Sequence, residues 1–436
     1  MKRILLLVPK GNGPGDGKKW NKDWLDEMEI AVSKSLWRIV TPGALVLGSL
    51  ADSIGHQVDL VDEEFQEVEK DKKFDIVAMY TVAPNAKRAY MWANYYRSVG
   101  THVVLGGVHA AMCPEEAELH ADTLLLGETE YIWPEFLKDF AYGKAKKRYT
   151  QALGKVDLNH SPAPAFKLLP PNGRRIIPVQ TARGCPHGCR FCNMRSLYGK
   201  GYRLKNLDNV EKELQEVMKV NPRATIYFTD DNLFCDRARS KKMLEIIRSY
   251  GLQWYTNCDI SFGQDEEFVK TAYRSGCRQV LIGFESVNPE NLVNIDENNF
   301  KSHQFSNYKD AIRRIQSNGI GVVGSFIIGL DEDDKEVFQK TVDFACETNL
   351  FGASATVNTP YPGTVSFGEM RQQDRIVTYD WDMYTIFQPV IIPRKMTVEE
   401  LNDGYTQMIK EINSPKNINR RLEYFKEQLK SVKGYG

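Results

Sequence analysis

The sequence lacks an excess of either charge, because 57 lysine and arginine residues are balanced by 57 aspartate and glutamate residues. No overall field therefore favours nucleic acid as a partner. A long hydrophobic run is also missing near the start, where the apolar run from Ile4 to Val8 is far too short for a signal peptide or a membrane span. We expect a cytoplasmic protein without an integral membrane segment and without a nucleic-acid partner.

Cysteine is sparse, with 8 residues in a chain of 436. So few thiols do not form a disulfide framework, and a reducing compartment suits thiols that bind metal. Low-complexity tracts and repeats of about 20–50 residues are absent from the sequence, which argues against solenoids and propellers. The length is sufficient for two or three domains that each have a core.

Three of the cysteines are concentrated in one short segment. Cys185, Cys189 and Cys192 form a CxxxCxxC pattern, with Phe191 directly before the last of them. Three thiolates on one loop can bind three irons of a 4Fe–4S cluster and leave the fourth iron without a protein ligand. An open coordination position is typical of a catalytic metal centre. The alternatives are a zinc loop, in which His187 would be a further ligand, and three buried free thiols.

Strand and helix patterns alternate through residues 1–150. Such alternation is typical of a doubly wound parallel sheet, which binds ligands outside the carboxyl ends of its strands. A glycine-rich loop at residues 11–17 follows the first strand. The predicted strands are 2–8, 58–61, 74–80, 102–105 and 121–126, and the predicted helices are 42–54 and 84–99.

Alternation resumes at residue 179, after a proline-rich linker at residues 151–178. Six predicted strands, each ending in polar residues or glycine, indicate an open, partial (β/α)6 barrel at residues 179–372 with its site at the carboxyl ends of the strands. These strands are 179–181, 225–229, 253–258, 280–284, 322–328 and 352–358.

Residues 373–436 predict a small helical extension. A capping box of Thr397 and Glu400 indicates where its first helix begins. Aromatic residues such as Tyr379 and Trp381 precede that helix, and they would either close the barrel mouth over a substrate or pack the extension on the barrel.

The motifs and their order resemble the radical S-adenosylmethionine (SAM) enzymes that carry an N-terminal cobalamin-binding domain. The resemblance implies an α/β fold, with a Rossmann-like cobalamin domain at 1–150 and a radical SAM barrel at 179–372. In this family SAM chelates the open iron of the cluster, which cleaves it to a 5′-deoxyadenosyl radical. Acidic residues that end two barrel strands would hold polar groups of SAM, although the same residues could simply cap the following helices. The implied SAM-binding residues are Phe191, Asp230, Asp231, Asn232, Glu285, Ser286, Gly324 and Gly329.

The resemblance of residues 1–140 to cobalamin domains rests mainly on strand-end glycines, which let the backbone approach a wide, flat ligand. The family's histidine ligand to cobalt, which would follow the first strand, is missing from residues 8–13, and His109 could equally be a solvent-facing loop residue. The sheet could therefore have lost cobalamin. The implied cobalamin-binding residues are Pro9, Gly11, Thr81, Val82, Gly106, Gly107, His109, Gly127 and Glu128.

The function that the resemblance implies is methylation of an unactivated carbon, with methylcobalamin as the methyl donor to a substrate radical. Alternatives are a radical SAM reaction without net methylation, such as a cyclisation or ring contraction, and a non-catalytic iron–sulfur protein. The implied partners are a small-molecule, lipid or peptide substrate and an electron donor such as flavodoxin or ferredoxin. A second cluster on the N-terminal domain is not expected, because Cys113 is its only cysteine.

Overall fold

The computed structural model describes residues 1–11 and 40–433. Most of the predicted glycine-rich loop, from residue 12 onward, lies outside the described residues. Within the described ranges, no helix is long and apolar enough to cross a membrane.

The N-terminal sheet has six parallel strands, in the order β2-β1-β3-β4-β5-β6. Strand β1 is apolar over four consecutive buried residues, because helices cover both faces of the sheet. The order reverses between β1 and β3, and ligands bind at such a switch point. The strands are β1 (Arg3–Val8), β2 (Gln57–Asp62), β3 (Ile76–Tyr80), β4 (His102–Gly106), β5 (Thr123–Leu126) and β6 (Arg148–Thr150).

The five predicted strands are present, and β6 was missed. This strand has three residues, of which only Tyr149 is buried, so no apolar run indicates it. The helices that accompany the sheet are α1 (Pro42–Ser53), α2 (Ala86–Ser98), α3 (Val108–Met112), α4 (Pro114–Glu118) and α5 (Ile132–Ala141).

The second sheet has six parallel strands in simple chain order, β7-β10-β11-β12-β13-β14, as expected for an open, partial barrel. A separate antiparallel hairpin of β8 and β9 lies beside it. The strands are β7 (Ile176–Val179), β8 (Ala182–Arg183), β9 (Arg203–Leu204), β10 (Thr225–Phe228), β11 (Gln253–Cys258), β12 (Cys277–Glu285), β13 (Gly321–Ile328) and β14 (Gly352–Val357).

Helices cover the outer face of this sheet and continue into the C-terminal extension. The predicted capping box is confirmed, since the Thr397 hydroxyl accepts from the Glu400 amide and the Glu400 carboxylate accepts from the Thr397 amide. The helices are α6 (Met194–Tyr198), α7 (Leu207–Val220), α8 (Arg237–Ser249), α9 (Glu266–Arg274), α10 (Phe300–Gln304), α11 (Tyr308–Ser317), α12 (Glu336–Glu347), α13 (Val365–Gln372), α14 (Val398–Ile412) and α15 (Pro415–Lys433).

The segment between the sheets is more ordered than a linker pattern indicates. Three 3₁₀ turns occupy it, and Phe166 and Leu169 are buried in a core that both sheets share. The first barrel strand begins at Ile176, three residues earlier than expected from position 179. Its Pro178 obscures the strand pattern in the sequence.

The aromatic part of the extension packs on the N-terminal domain, which neither sequence-based alternative foresaw. Trp381 donates its indole N–H to Glu116 at 3.0 Å, and its ring meets His109 edge-on at 5.0 Å. Lys87 pairs with Asp380 at 2.6 Å. This strap, residues 376–391, therefore ties the barrel's C-terminal end to the first domain.

Candidate functional site

The carboxyl ends of the two sheets face each other across a cavity of about 270 Å³. Its walls come from both domains: Tyr80 and the strand-end glycines belong to the first, and Gln180 and Tyr198 to the second. A deeper recess between the N-terminal sheet and α1 is apolar. That recess is lined by Leu6, Val46, Leu47, Ala78, Val104 and Leu125.

The three cysteines lie on the cluster loop, residues 184–202 between β8 and β9, whose Leu197 and Tyr198 line this cavity. The two ends of this loop lie close together, so that a Cβ on Gly184 would approach the Gly201 carbonyl oxygen to 2.3 Å. Gly184 also has a φ of 91°, which side chains rarely adopt. The loop is held further by the Arg190 amide, which donates to the Ile295 carbonyl at 3.0 Å.

All three thiols are half-buried and free of disulfide bonds. Burial raises the pKa of each of them, to about 11 for Cys192. Free thiols in this loop are therefore protonated at neutral pH, and binding of a cationic iron centre would release their protons. Three free thiols on one short loop are the donor set that an iron–sulfur cluster requires, so the residues present fit such a cluster.

A buried ion pair lies against the same loop. Lys301 binds Glu285 at 2.8 Å, and both side chains are about nine-tenths buried. Burial lowers the pKa of Lys301, but the charge and hydrogen bond of Glu285, together with Cys189 and Tyr308, outweigh it and raise that pKa. The Lys301 ammonium partly offsets the effect of burial on the pKa of Cys189, which remains raised.

The acidic tripeptide after β10 is engaged with the cluster loop itself. Asp230 is fully buried and accepts from the Thr181 amide at 3.0 Å and its hydroxyl at 2.9 Å. Asp231 accepts from the Gly184 amide at 2.9 Å. Burial raises the pKa of both carboxyls to about 6. In this structure both residues position the start of the loop, and their contact with SAM stays a prediction.

His187 is also used within the protein. Its Nε2 lies 2.9 Å from Asp259, whose other neighbours include Asn232 at 2.7 Å, and its ring stacks on Phe300 at 4.1 Å. Among the described residues, no three His, Cys, Asp or Glu side chains converge as a single metal ion requires. The thiolates of a 4Fe–4S cluster would each bind a different iron, so a cluster does not need such convergence.

The remaining positions predicted to bind SAM have mixed surroundings. Phe191 packs against the main core, and Ser286 accepts from the Asn288 amide at 3.0 Å. Gly324 faces the core, because a Cβ there would meet Leu350 at 2.8 Å. Gly329 forms a turn with a φ of 88°, closed by the Asp333 carboxylate at 2.9 Å. Their roles toward SAM stay predictions.

Four of the positions predicted to bind cobalamin line the cavity: Gly106, Gly107, Gly127 and Glu128. Gly107 and Gly127 have φ angles of 96° and 100°, so their backbone forms the wall. A backbone-lined mouth above an apolar recess fits a flat macrocycle with a tail.

The other predicted cobalamin positions lie behind this wall. Thr81 is buried and donates to the Gly106 carbonyl at 2.7 Å. Asn85 binds the Pro9 carbonyl at 3.1 Å and the Val82 amide at 2.8 Å, and Gly11 lies beside it.

The alternative reading of His109 as a solvent-facing loop residue is wrong. His109 is 3% exposed within α3, where it packs between Tyr90 and Trp381. Its Nε2 lies 3.5 Å from Glu116.

Several residues of the site were missed from the sequence. Lys301 gave no signal, because a lone lysine on a short helix is ordinarily a solvated residue. Tyr80 is the last residue of an apolar strand, and this position at the carboxyl end was the one feature that could have predicted its place in the cavity wall. Arg183 lies two residues before the first cysteine. A charged residue in a buried strand could have indicated that it has an ionic partner at the site.

The comparisons with known proteins agree with this geometry. The family model of the radical SAM superfamily matches residues 179–345. A bacteriochlorophyllide d C-12(1)-methyltransferase of Chlorobaculum tepidum is 31% identical over 356 residues, covering 80% of this chain and 77% of that protein. The chain belongs to the radical SAM enzymes. The 4Fe–4S cluster and SAM are cofactors of this family, as the cysteine pattern predicted.

Two further matches concern the reaction and the fold. An anaerobic magnesium-protoporphyrin IX monomethyl ester cyclase of Cereibacter sphaeroides is 23% identical over 391 residues, covering 82% of this radical SAM enzyme and 62% of the cyclase. The solved structure of the cobalamin-dependent SAM radical enzyme OxsB superimposes with a TM-score of 0.71 at 13% identity, covering 98% of this chain and 71% of that one. The predicted two-domain fold is thereby confirmed.

Proposed function

We propose that this radical SAM enzyme binds cobalamin between its two sheets and methylates an unactivated carbon of a large, mainly apolar substrate. One observation carries the proposal. The strand-end glycines of the first domain and the cluster loop of the second line the same cavity. A methyl donor bound to one wall and a radical formed at the other would both reach a substrate between them.

The cofactors supply the chemistry when bound: a hydrogen-abstracting radical from SAM at the cluster, and a methyl group from cobalamin. The chain's own residues hold and enclose them. Cys185, Cys189 and Cys192 are the thiol ligands, and the buried pair of Glu285 and Lys301 keeps charge of both signs beside them. The aliphatic recess keeps water away, which protects a radical from side reactions.

The proposed substrate class is supported by the apolar character of the cavity and by one relative. The cavity wall is mainly aliphatic and aromatic, and its buried carboxylates are already paired with arginines. Such a surface suits a flat, apolar molecule better than a charged one. The methyltransferase relative is named for a bacteriochlorophyllide, so we propose a tetrapyrrole or a similarly sized apolar ring system as substrate.

The test is anaerobic reconstitution with iron, sulfide and hydroxocobalamin, followed by reaction with methyl-deuterated SAM and chlorophyll-type tetrapyrroles. We expect about four irons and one cobalt per chain and a product that carries the deuterated methyl group. Cys189→Ser should lose iron and product, whereas Cys235→Ser should keep both. Four irons without cobalt would overturn the cobalamin proposal, and cobalt with no labelled product from any tetrapyrrole would overturn the proposed substrate class.

A second candidate is a radical reaction on the same kind of substrate without net methylation. The similarity to the cyclase favours it. The same reaction mixture separates the two candidates, since this one forms 5′-deoxyadenosine and a changed product that contains no deuterium.

A further inference from the structure

The cluster-bearing loop begins and ends at a two-stranded sheet. β8 and β9 pair antiparallel, and Arg183 lies directly opposite Arg203. Residues 184–202, with all three predicted cluster ligands, lie between these two arginines. The base of the loop thus carries two like charges in register, an arrangement that destabilises a strand pair unless other groups neutralise it.

The neutralising groups come from the other domain. Glu128, just after β5, accepts from Arg183 at 2.7 Å with one oxygen and from Arg203 at 2.9 Å with the other. Glu130 accepts from the second Arg183 nitrogen at 2.6 Å. Both glutamate side chains are only 2% exposed, so water cannot replace them as partners.

The remaining contacts of the two arginines are neutral. Arg183 donates to the Gln180 side chain at 2.7 Å, and Arg203 donates to the Val156 carbonyl at 2.7 Å. Without the N-terminal domain, the two guanidinium groups would face each other across the hairpin with no described carboxylate in hydrogen-bond contact, leaving longer-range attraction from barrel carboxylates such as Asp231. Removing one partner of a buried ion pair is far more damaging than replacing the whole pair.

We propose that Glu128 and Glu130 are positioning residues for the cluster loop, so that docking of the N-terminal sheet is required to form the cluster site. The proposal rests on the proposed role of Cys185, Cys189 and Cys192 as cluster ligands. It assigns to the strand-end loop of the first domain a role toward the second domain's cofactor, in addition to its place in the cavity wall.

The test compares the full-length double variant E128Q/E130Q with the control E63Q. Glu63 is likewise a buried carboxylate of the first domain that binds an arginine, Arg88 at 2.6 Å, but within the same domain. In the cofactor-free protein, we expect trypsin to cut the loop at Arg190, Arg195 and Lys200 about tenfold faster or more in E128Q/E130Q than in wild type. E63Q should behave as wild type in this respect.

Cluster assembly gives a second readout. E128Q/E130Q should take up fewer than four irons per chain, and the electron paramagnetic resonance spectrum of its reduced cluster should lose the change that SAM causes in wild type. Normal protection of the loop together with full iron uptake in E128Q/E130Q would overturn the proposal. If wild type itself takes up no iron, the cluster assignment fails instead, and the protease result still tests the positioning role.

A rescue variant keeps the test decisive if E128Q/E130Q folds poorly. Since the like-charge pair is the source of the instability, E128Q/R203Q should hold its loop better than E128Q alone. If the effects of the two substitutions on loop cleavage are additive, Glu128 acts only as an ordinary structural contact, and the proposal is wrong.

Discussion

At the scale of single residues, Asp333 links a turn of the site to pH. Its carboxylate accepts from the amides of Gly329 and Leu330, and burial raises its pKa to about 7 despite these bonds. The folded state therefore holds the proton more tightly than the unfolded state, so this group's contribution to stability falls as pH rises from about 4 to about 7. Above that range the buried charge is a full cost to the folded state.

Asp333→Asn should remove this dependence while keeping an oxygen for the two amides. We expect the free energy of unfolding of the variant, relative to that of wild type, to be roughly 1–3 kcal/mol higher at pH 8 than at pH 5. Denaturant unfolding at both pH values measures this difference. Asp334→Asn, a neighbour without a buried carboxyl, is the control. If the stability difference between Asp333→Asn and wild type is the same at both pH values, Asp333 is ionised at both.

The sequence predicts which residues lie at the site better than it predicts what each of them binds. Asp230 and Asp231 were expected at a strand end, where they are found. Asp231 binds the backbone of the cluster loop, and Asp230 binds Thr181 just before β8, so neither faces open space. Their partners are 49 and 47 positions away in the sequence, and local sequence patterns do not predict contacts over such separations. Glu285 and Lys301 show the same limit, because the pairing depends on how α10 packs beside β12.

At the scale of elements, the strap depends on one tryptophan. Trp381→Phe keeps the ring that packs on His109 but removes the N–H that reaches Glu116. We expect a loss of about 0.5–2 kcal/mol for this bond to a charged acceptor, seen as faster amide hydrogen exchange across residues 376–391. Tyr379→Phe should have no effect, since Tyr379 is 52% exposed. Equal exchange rates in all three proteins would mean that the strap is held by other contacts.

Regular elements were predicted well because their patterns are local. The helix at residues 308–317 and the strand at residues 253–258 have the predicted bounds. Apolar periodicity indicates the helix, and nearby glycines mark one end of each element, Gly319 after the helix and Gly251 before the strand. The short β6 and the turns before β7 were missed for the opposite reason. They are fixed by what they pack against, and their own residues carry little pattern.

At the scale of the whole molecule, the two sheets share one core. Leu6 and Leu45 of the first domain, Phe166 of the connecting segment and Val179 and Phe228 of the barrel all belong to the same buried cluster. No sequence pattern predicted this, because separate domains joined by a linker fit the same periodicities. A shared core implies that neither domain can unfold while the other keeps its full set of contacts.

We therefore expect a single transition when the cofactor-free protein is heated in a calorimeter, and Gly48 offers a way to test its origin. This buried glycine of α1 lies against the connecting segment, and a Cβ there would approach Leu168 to 2.6 Å. Gly48→Leu should overpack the junction at a cost of about 1–3 kcal/mol and lower the midpoint of the whole transition. Gly368→Leu is the control, because a Cβ on Gly368 meets no atom within 4 Å. Two separate transitions in wild type would contradict the shared core. A midpoint unchanged by Gly48→Leu would mean that α1 and the connecting segment separate before the protein unfolds.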